Sequence, residues 1–316
     1  MTASIALIGG RGYTGAEFLH LLDGHHGMEL AFASSTSQVG MKLSEGCAAW
    51  RGSETFCELS PETVGTRHAD AWVLAVPNGK AGSWAQAIHA HQPDAIILDL
   101  SADHRFDGNW VYGLPERFRN NIRAAKLISN PGCYATGIQL GLLPVLEYLV
   151  GEPVVFGVSG YSGAGRTPSE KNSPDRLRDN LLPYSLTGHV HEKEASHQLG
   201  RHVRFMPHVA SFFRGISLTI SARVDHVATG EKLFNVYFRA YCDEPRLKVM
   251  SEIPEVQAVR NTPDVYIGGF SVDEREPSMI SLVVTLDNLS KGAASQAMQN
   301  LNLALGMDEQ AGIKYE

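Results

Sequence analysis

A short apolar stretch, Ser4 to Ile8, runs directly into Gly9-Gly10-Arg11-Gly12-Tyr13-Thr14-Gly15. From Ala16 to Leu22 the apolar residues then fall at helical spacing. This strand–turn–helix limits the possible folds more than any other part of the chain. Gly10, Gly12 and Gly15 fit the pattern G-x-G-x-x-G in the one context that gives it physical meaning. Glycines let the turn approach a diphosphate, which rests on the unpaired N–H groups of the helix start. Gly10, Arg11, Gly12, Tyr13, Thr14 and Gly15 are therefore expected to line a dinucleotide site.

More strand patterns follow at Met28 to Ala33, Ala71 to Val76 and Ala95 to Leu100, with a helical stretch at Ser83 to Ala90. Strands alternating with helices predict a doubly wound parallel sheet. The second strand leads into Ser34-Ser35-Thr36-Ser37, with no carboxylate to hold a ribose 2′-hydroxyl. Ser34 and Ser35 can instead accept a 2′-phosphate, and Lys42 adds positive charge nearby, so the expected cofactor is NADP(H). Pro77-Asn78-Gly79 and Ser101-Ala102-Asp103-His104-Arg105 each follow a strand, where open α/β sheets bind ligands. Arg105 suits a planar anion there, or else a surface ion pair with Asp103 or Asp107.

The apolar run ending at Ser129 meets Asn130-Pro131-Gly132, a turn by composition, and then Cys133. Tyr134 to Val150 reads as a helix, which puts Cys133 at or near a helix N-terminus. Unpaired N–H groups and the dipole there favour the thiolate, the nucleophilic form. Beyond the helix, Gly160-Tyr161-Ser162-Gly163-Ala164-Gly165-Arg166 offers N–H groups and one cation to an anion. His189-Val190-His191 lies in a helical-looking segment with Glu192 and Glu194. Its spacing does not match H-E-x-x-H, so no metal site is expected, and a histidine acting as acid or base beside Cys133 fits better. The rest reads as strands with few helices between them, a mixed and largely antiparallel α+β domain, before a last helix that stops at Gly306.

Composition excludes other classes. Of 316 residues, 43% are apolar and 19% charged, which suits a folded chain of two domains. A net charge of −7 argues against a nucleic-acid surface or a polybasic membrane patch. No apolar run approaches the ~20 residues of a membrane span. Residues 1–8 carry no basic region typical of a signal peptide. The four cysteines are far apart, with neither zinc nor disulfide spacing, so a reduced, cytoplasmic setting is expected.

Seven motifs taken together resemble the N-acetyl-γ-glutamyl-phosphate reductase family of semialdehyde dehydrogenases. They are Gly9–Gly15, Asp99–Arg105, Val111–Glu116, Asn130–Gly137, Ser159–Arg166, His189–His191 and Asp287–Ala294. Two positions depart from the family pattern: Asn78 stands where His is common, and Lys193 where Pro is common. The resemblance implies a Rossmann-type NADP-binding domain over 1–130 with 290–316, and a catalytic and dimerisation domain over 131–289. It implies NADPH-dependent reduction of an acyl phosphate through a thioester on Cys133, with His189 as the acid–base group and His191 as a catalytic-site residue that supports it or contacts the substrate. It adds Pro77, Gly163 and Asn288 to the cofactor contacts. It assigns Ser101, Arg105, Asn130, Ser162, Arg166 and His208 to the substrate, leaving open which arginine meets phosphate and which carboxylate. It also implies a homo-oligomer, a dimer or tetramer, acting on a small molecule. Aspartyl phosphate and N-acetyl-aminoadipyl phosphate are the alternative substrates, since one methylene discriminates by only about 1–3 kcal/mol.

Overall fold

A computed structural model describes residues 2–225 and 229–313. Met1, 226–228 and 314–316, the last within the stretch expected in the first domain, lie outside the described residues. The chain divides into two compact units, one of residues 2–132 and 293–313, the other of 133–225 and 229–292.

The first unit holds a six-stranded sheet in the order β2-β1-β3-β4-β6-β5. Its strands are β1 (Ala3–Ile8), β2 (Met28–Ser34), β3 (Ala71–Leu74), β4 (Ile96–Asp99), β5 (Val111–Tyr112) and β6 (Leu127–Ser129). Every pairing is parallel. Such strands are covered on both faces and read as continuous apolar runs. Alternate residues accordingly serve two cores. Ile5, Leu7, Val73 and Leu98 pack with Phe18 and Leu19 of helix Tyr13–Leu22 and with Met298 and Leu301 of the C-terminal helix Ser295–Ala304. Ala6, Ile8, Trp72 and Ile97 pack with Trp84 and Ile88 of helix Ala81–His91. The chain passes from β2 back across β1 to β3, so the order reverses beside β1, and both Gly9–Gly15 and Pro77 follow strands at that reversal.

The second unit holds a seven-stranded mixed sheet, ordered β11-β12-β13-β10-β7-β9-β8. Its strands are β7 (Leu149–Gly160), β8 (Leu182–Pro183), β9 (Arg204–Ala210), β10 (Ile216–Val224), β11 (Leu247–Val249), β12 (Val265–Val272) and β13 (Met279–Leu286). Among the described residues, β7·β9 and β11·β12 are its parallel pairings. The helix Cys133–Leu142 lies against β10 and β13 because two glycines four residues apart face them. A Cβ on Gly137 would come 2.5 Å from Leu218, and one on Gly141 2.3 Å from Ile220.

That helix is shorter than its apolar spacing predicts. Pro144 cannot donate to the α-helical ladder, so Leu143–Tyr148 is a 3-10 segment and Leu149 already begins β7. Tyr237 and Tyr241, on helix Gly230–Tyr241, donate their hydroxyls to the carbonyls of Gly141 and Leu140 at 2.5 and 2.7 Å. Carbonyls that the shortened helix leaves unpaired are thereby satisfied.

Candidate active site

In the first unit the glycine loop is shaped by close approach. Gly9 has φ +86°, and a Cβ there would lie 2.3 Å from the carbonyl oxygen of Ala75. A Cβ on Gly15 would lie 2.8 Å from Gly10 Cα. The N–H groups of Gly9 and Gly10 both donate to the Ser34 carbonyl, at 3.1 and 3.2 Å, tying the loop to the end of β2. Gly12 caps the helix that Tyr13 and Thr14 begin, leaving the first N–H groups for a ligand. Arg11 reaches across to donate to Ser37 Oγ at 3.3 Å, and Ser37 N–H meets Ser35 Oγ at 3.4 Å. Ser34 and Ser35 are buried. Lys42 is the residue before the short helix Leu43–Gly46 and makes no side-chain cap bond to it. A glycine cradle beside a cation and hydroxyls, with no carboxylate at the end of β2, suits a dinucleotide bearing a 2′-phosphate.

The loops after β3 and β4 interlock. Asp103 accepts N–H bonds from Gly79 (2.6 Å) and Ala81 (2.9 Å), so it caps helix Ala81–His91 beyond Pro77. Asn78 accepts from Ala102 N–H at 3.0 Å. Fully buried Asp99 accepts from Ser101 N–H (2.8 Å) and Oγ (2.9 Å) and lies 2.7 Å from His104 Nδ1. Arg105 is buried rather than at the surface, and donates to the carbonyls of Asn130 (2.9 Å) and Leu100 (3.1 Å). Asn130 donates to the Ala293 carbonyl at 3.2 Å and accepts from Asn300 at 2.9 Å. Ser101, Arg105 and Asn130 thus belong to one buried network, which also fixes the turn leading into Cys133.

In the second unit Cys133 is the first residue of its helix and half-buried. Gly292 packs against it, with room for no side chain: a Cβ there would lie 2.7 Å from Cys133 Cβ. Gly292 lies in the π-helical turn Ser290–Ala294, which Asp287 anchors. Asp287 accepts two bonds from Arg214 (2.5 and 2.9 Å) and one each from the N–H groups of Asn261, Leu289 and Ser290. Asn288 accepts from Gly215 N–H at 2.7 Å and donates to Ser162 Oγ at 2.9 Å. It therefore braces the 3-10 turn Tyr161–Ala164 that carries Ser162 and Gly163. Arg166 follows that turn and is exposed.

The two histidines do not lie two apart on one helix, as their spacing predicts. His189 is the residue that caps helix Val190–Leu199, and only His191 is inside it. The rings are therefore 5.0 Å apart rather than on different faces, and both meet the Tyr134 ring edge-on, at 6.3 and 5.9 Å. Tyr184 and Phe205 complete the surround of His189, at 5.5 and 5.4 Å. Glu192 fixes this helix start by accepting from Gly188 N–H (2.7 Å) and Phe205 N–H (2.9 Å). His208 meets this cluster through its backbone, its carbonyl accepting the Tyr134 hydroxyl at 2.8 Å. It alternates with Phe205 along β9, and its ring packs at 4.3 Å on the exposed Phe156.

Burial, reinforced by the Lys171 charge and opposed by Glu192, pushes His189 down to about 4. It is a neutral imidazole at neutral pH. Its Nδ1 accepts the His191 N–H at 3.1 Å, so the proton sits on Nε2, aimed as a donor. Burial also raises the phenols of Tyr134 and Tyr184, and negative charge on Cys133 adds to both.

Residues 4–125 match the family described as semialdehyde dehydrogenase, NAD binding domain, and residues 133–288 its dimerisation domain. The chain is 47% identical over 314 residues, 99% of each chain, to the N-acetyl-gamma-glutamyl-phosphate reductase of Stenotrophomonas maltophilia (strain R551-3). The chain belongs to the N-acetyl-gamma-glutamyl-phosphate reductase family. The Xylella fastidiosa (strain M23) reductase is 46% identical, covering 100% of this chain and 96% of that one. The same fold occurs in aspartate semialdehyde dehydrogenase II of Vibrio cholerae, with TM-score 0.78 and 17% identity over 97% of this chain and 99% of that one. The match to a dimerisation domain falls on the second unit and supports oligomerisation through it. No helix among the described residues is long and apolar enough to cross a membrane.

Asp99, Asn300, Arg214, Tyr184 and Lys171 also contact these residues and are not among those expected from the sequence. Asp99 stood inside a recognised motif. Asn300 and Arg214 gave no local signal, because Asn130 and Asp287 lie 170 and 73 residues away.

Proposed function

We propose that this chain reduces N-acetyl-γ-glutamyl phosphate to N-acetyl-L-glutamate 5-semialdehyde and phosphate, with NADPH, in the cytoplasm and as a dimer or tetramer. The observation that carries the reading is the placement of Cys133 at the first position of a buried helix. The N-terminus stabilises the thiolate without a base.

The Cys133 sulfur attacks the acyl carbon, and the carbon–oxygen bond to phosphate breaks, with phosphate leaving as the anion. Gly10, Arg11, Gly12, Tyr13, Thr14, Gly15, Ser34 and Ser35 would hold NADPH, with Pro77, Gly163 and Asn288 as further cofactor contacts. When bound, NADPH supplies the hydride that reduces the thioester carbon. The neutral imidazole of His189 donates its Nε2–H to the oxygen that gains charge, and His191 keeps it oriented through the Nδ1 bond. The carbon–sulfur bond then breaks, returning the thiolate and releasing the aldehyde. Ser101, Arg105, Asn130, Ser162 and Arg166 position the substrate.

The test is the reverse reaction, following reduction of NADP in the presence of phosphate. Turnover on N-acetyl-glutamate semialdehyde should exceed that on aspartate semialdehyde and on the one-carbon-longer N-acetyl-aminoadipate semialdehyde. Faster turnover on either alternative would reassign the substrate.

A further inference from the structure

One cation beside the cysteine cluster has no role in the mechanism above. Lys171 lies in the turn Glu170–Asn172, and its Nζ sits 4.1 Å from the centroid of the Tyr184 ring. The other contacts of Tyr184 lead into the site. Its ring is 5.5 Å from His189, and burial raises its phenol, with charge on Cys133 adding to the effect.

The turn is built. Asn172 accepts from Ser169 N–H at 2.7 Å and donates to the carbonyls of Gly165 (2.8 Å) and Thr167 (2.9 Å). That ties Lys171 to the end of the glycine-rich loop carrying Arg166. The adjacent acid, Glu170, pairs with Arg176 at 2.5 Å and not with Lys171. Among the described residues no carboxylate forms an ion pair with Lys171. The ammonium therefore rests on an aromatic face with its charge uncompensated, close enough to depress His189. A lysine ammonium is a compact point charge suited to phosphate or carboxylate oxygens.

We propose that Lys171 is an anion-binding residue of the active site, drawing the negatively charged oxygens of the substrate toward Cys133. This rests on Cys133 being the nucleophile. The anion is the phosphoryl group or the substrate carboxylate.

The test compares alkylation of Cys133 by iodoacetate, an anion, and iodoacetamide, its neutral counterpart, in the native chain, Lys171→Met and Lys171→Arg. Lys171→Met should lower the iodoacetate-to-iodoacetamide rate ratio about three-fold or more, and Lys171→Arg should retain it. Salt should lower the native ratio and leave that of Lys171→Met unmoved. The His189 titration midpoint, followed by NMR, should rise in Lys171→Met. In the reverse reaction, a raised KM for phosphate would assign the phosphoryl group, and a raised KM for semialdehyde the carboxylate. An unchanged alkylation ratio with Cys133 still labelled would overturn the role of Lys171 alone. Absence of labelling at Cys133 would overturn the nucleophile, and this proposal with it.

Discussion

The N–H of His191 donates to Nδ1 of His189 at 3.1 Å, so the first turn of a helix fixes the tautomer of the imidazole beside it. An imidazole that already accepts at Nδ1 and carries its proton on Nε2 has no site left to take a proton from a thiol. In the proposed mechanism it serves as a donor, and the helix start stabilises the Cys133 thiolate.

His189→Asn tests this division of labour, because asparagine is a good helix cap but lacks the aimed Nε2–H. The kcat should fall by about 10²-fold or more, in the range of a lost acid–base group. Iodoacetamide alkylation of Cys133 should hardly change. A large fall in alkylation rate would show that the histidine drives ionisation after all.

Acid should weaken the fold through the same residue. The folded midpoint of His189 is about 4, against 6.5 for the ordinary group. Between these values the unfolded chain binds more protons, so stability rises with pH from about 4 to 6.5, and this contribution is complete above 6.5. His25 is lowered in the same direction by burial. Its Nδ1 accepts from the N–H groups of Gly27 and Met28, both at 3.0 Å. Urea midpoints at pH 5 and 7 should differ less in His189→Asn than in the native chain. Equal pH dependence would remove His189 from the account.

How far the sequence reached follows from the range of each interaction. The glycine loop and the start of the cysteine helix were legible because turn chemistry and apolar spacing are local. The end of that helix was misread because periodicity continues through Pro144, while the backbone bonds do not. The histidine pair was misread because a capping residue looks helical by spacing. The anchor of the Cys133 region was beyond reach: Asp287 meets Arg214 and Asn261 across 73 and 26 residues. Lys171 and Tyr184 meet only because the segment around them folds onto itself.

Gly292→Ala should disturb the nucleophile directly. The added methyl has no space beside Cys133, and overpacking of this kind costs about 1–3 kcal/mol. Lower stability should accompany slower alkylation of Cys133 and a lower kcat. Asp287→Asn, which removes the charge that buried Arg214 pairs with, should cost about 3–5 kcal/mol. Thermal unfolding and alkylation rates check both, and native behaviour of Gly292→Ala would contradict the packing argument.

Cofactor choice should follow charge at the end of β2. The native chain should bind NADPH more tightly than NADH. Ser35→Asp should weaken NADPH through repulsion and spare NADH, and Arg11→Ala should likewise cost NADPH more. Fluorescence titration of each cofactor measures this without turnover. Equal affinities in the native chain would count against the reading.

The central claim is the covalent intermediate. Mixing the protein with N-acetyl-γ-glutamyl phosphate in the absence of NADPH, followed by peptide mass spectrometry, reads it directly. The account predicts one N-acetylglutamyl group per chain, on Cys133, lost as aldehyde when NADPH is added and never formed in Cys133→Ser. An unmodified Cys133, or near-native turnover by Cys133→Ser, would contradict it.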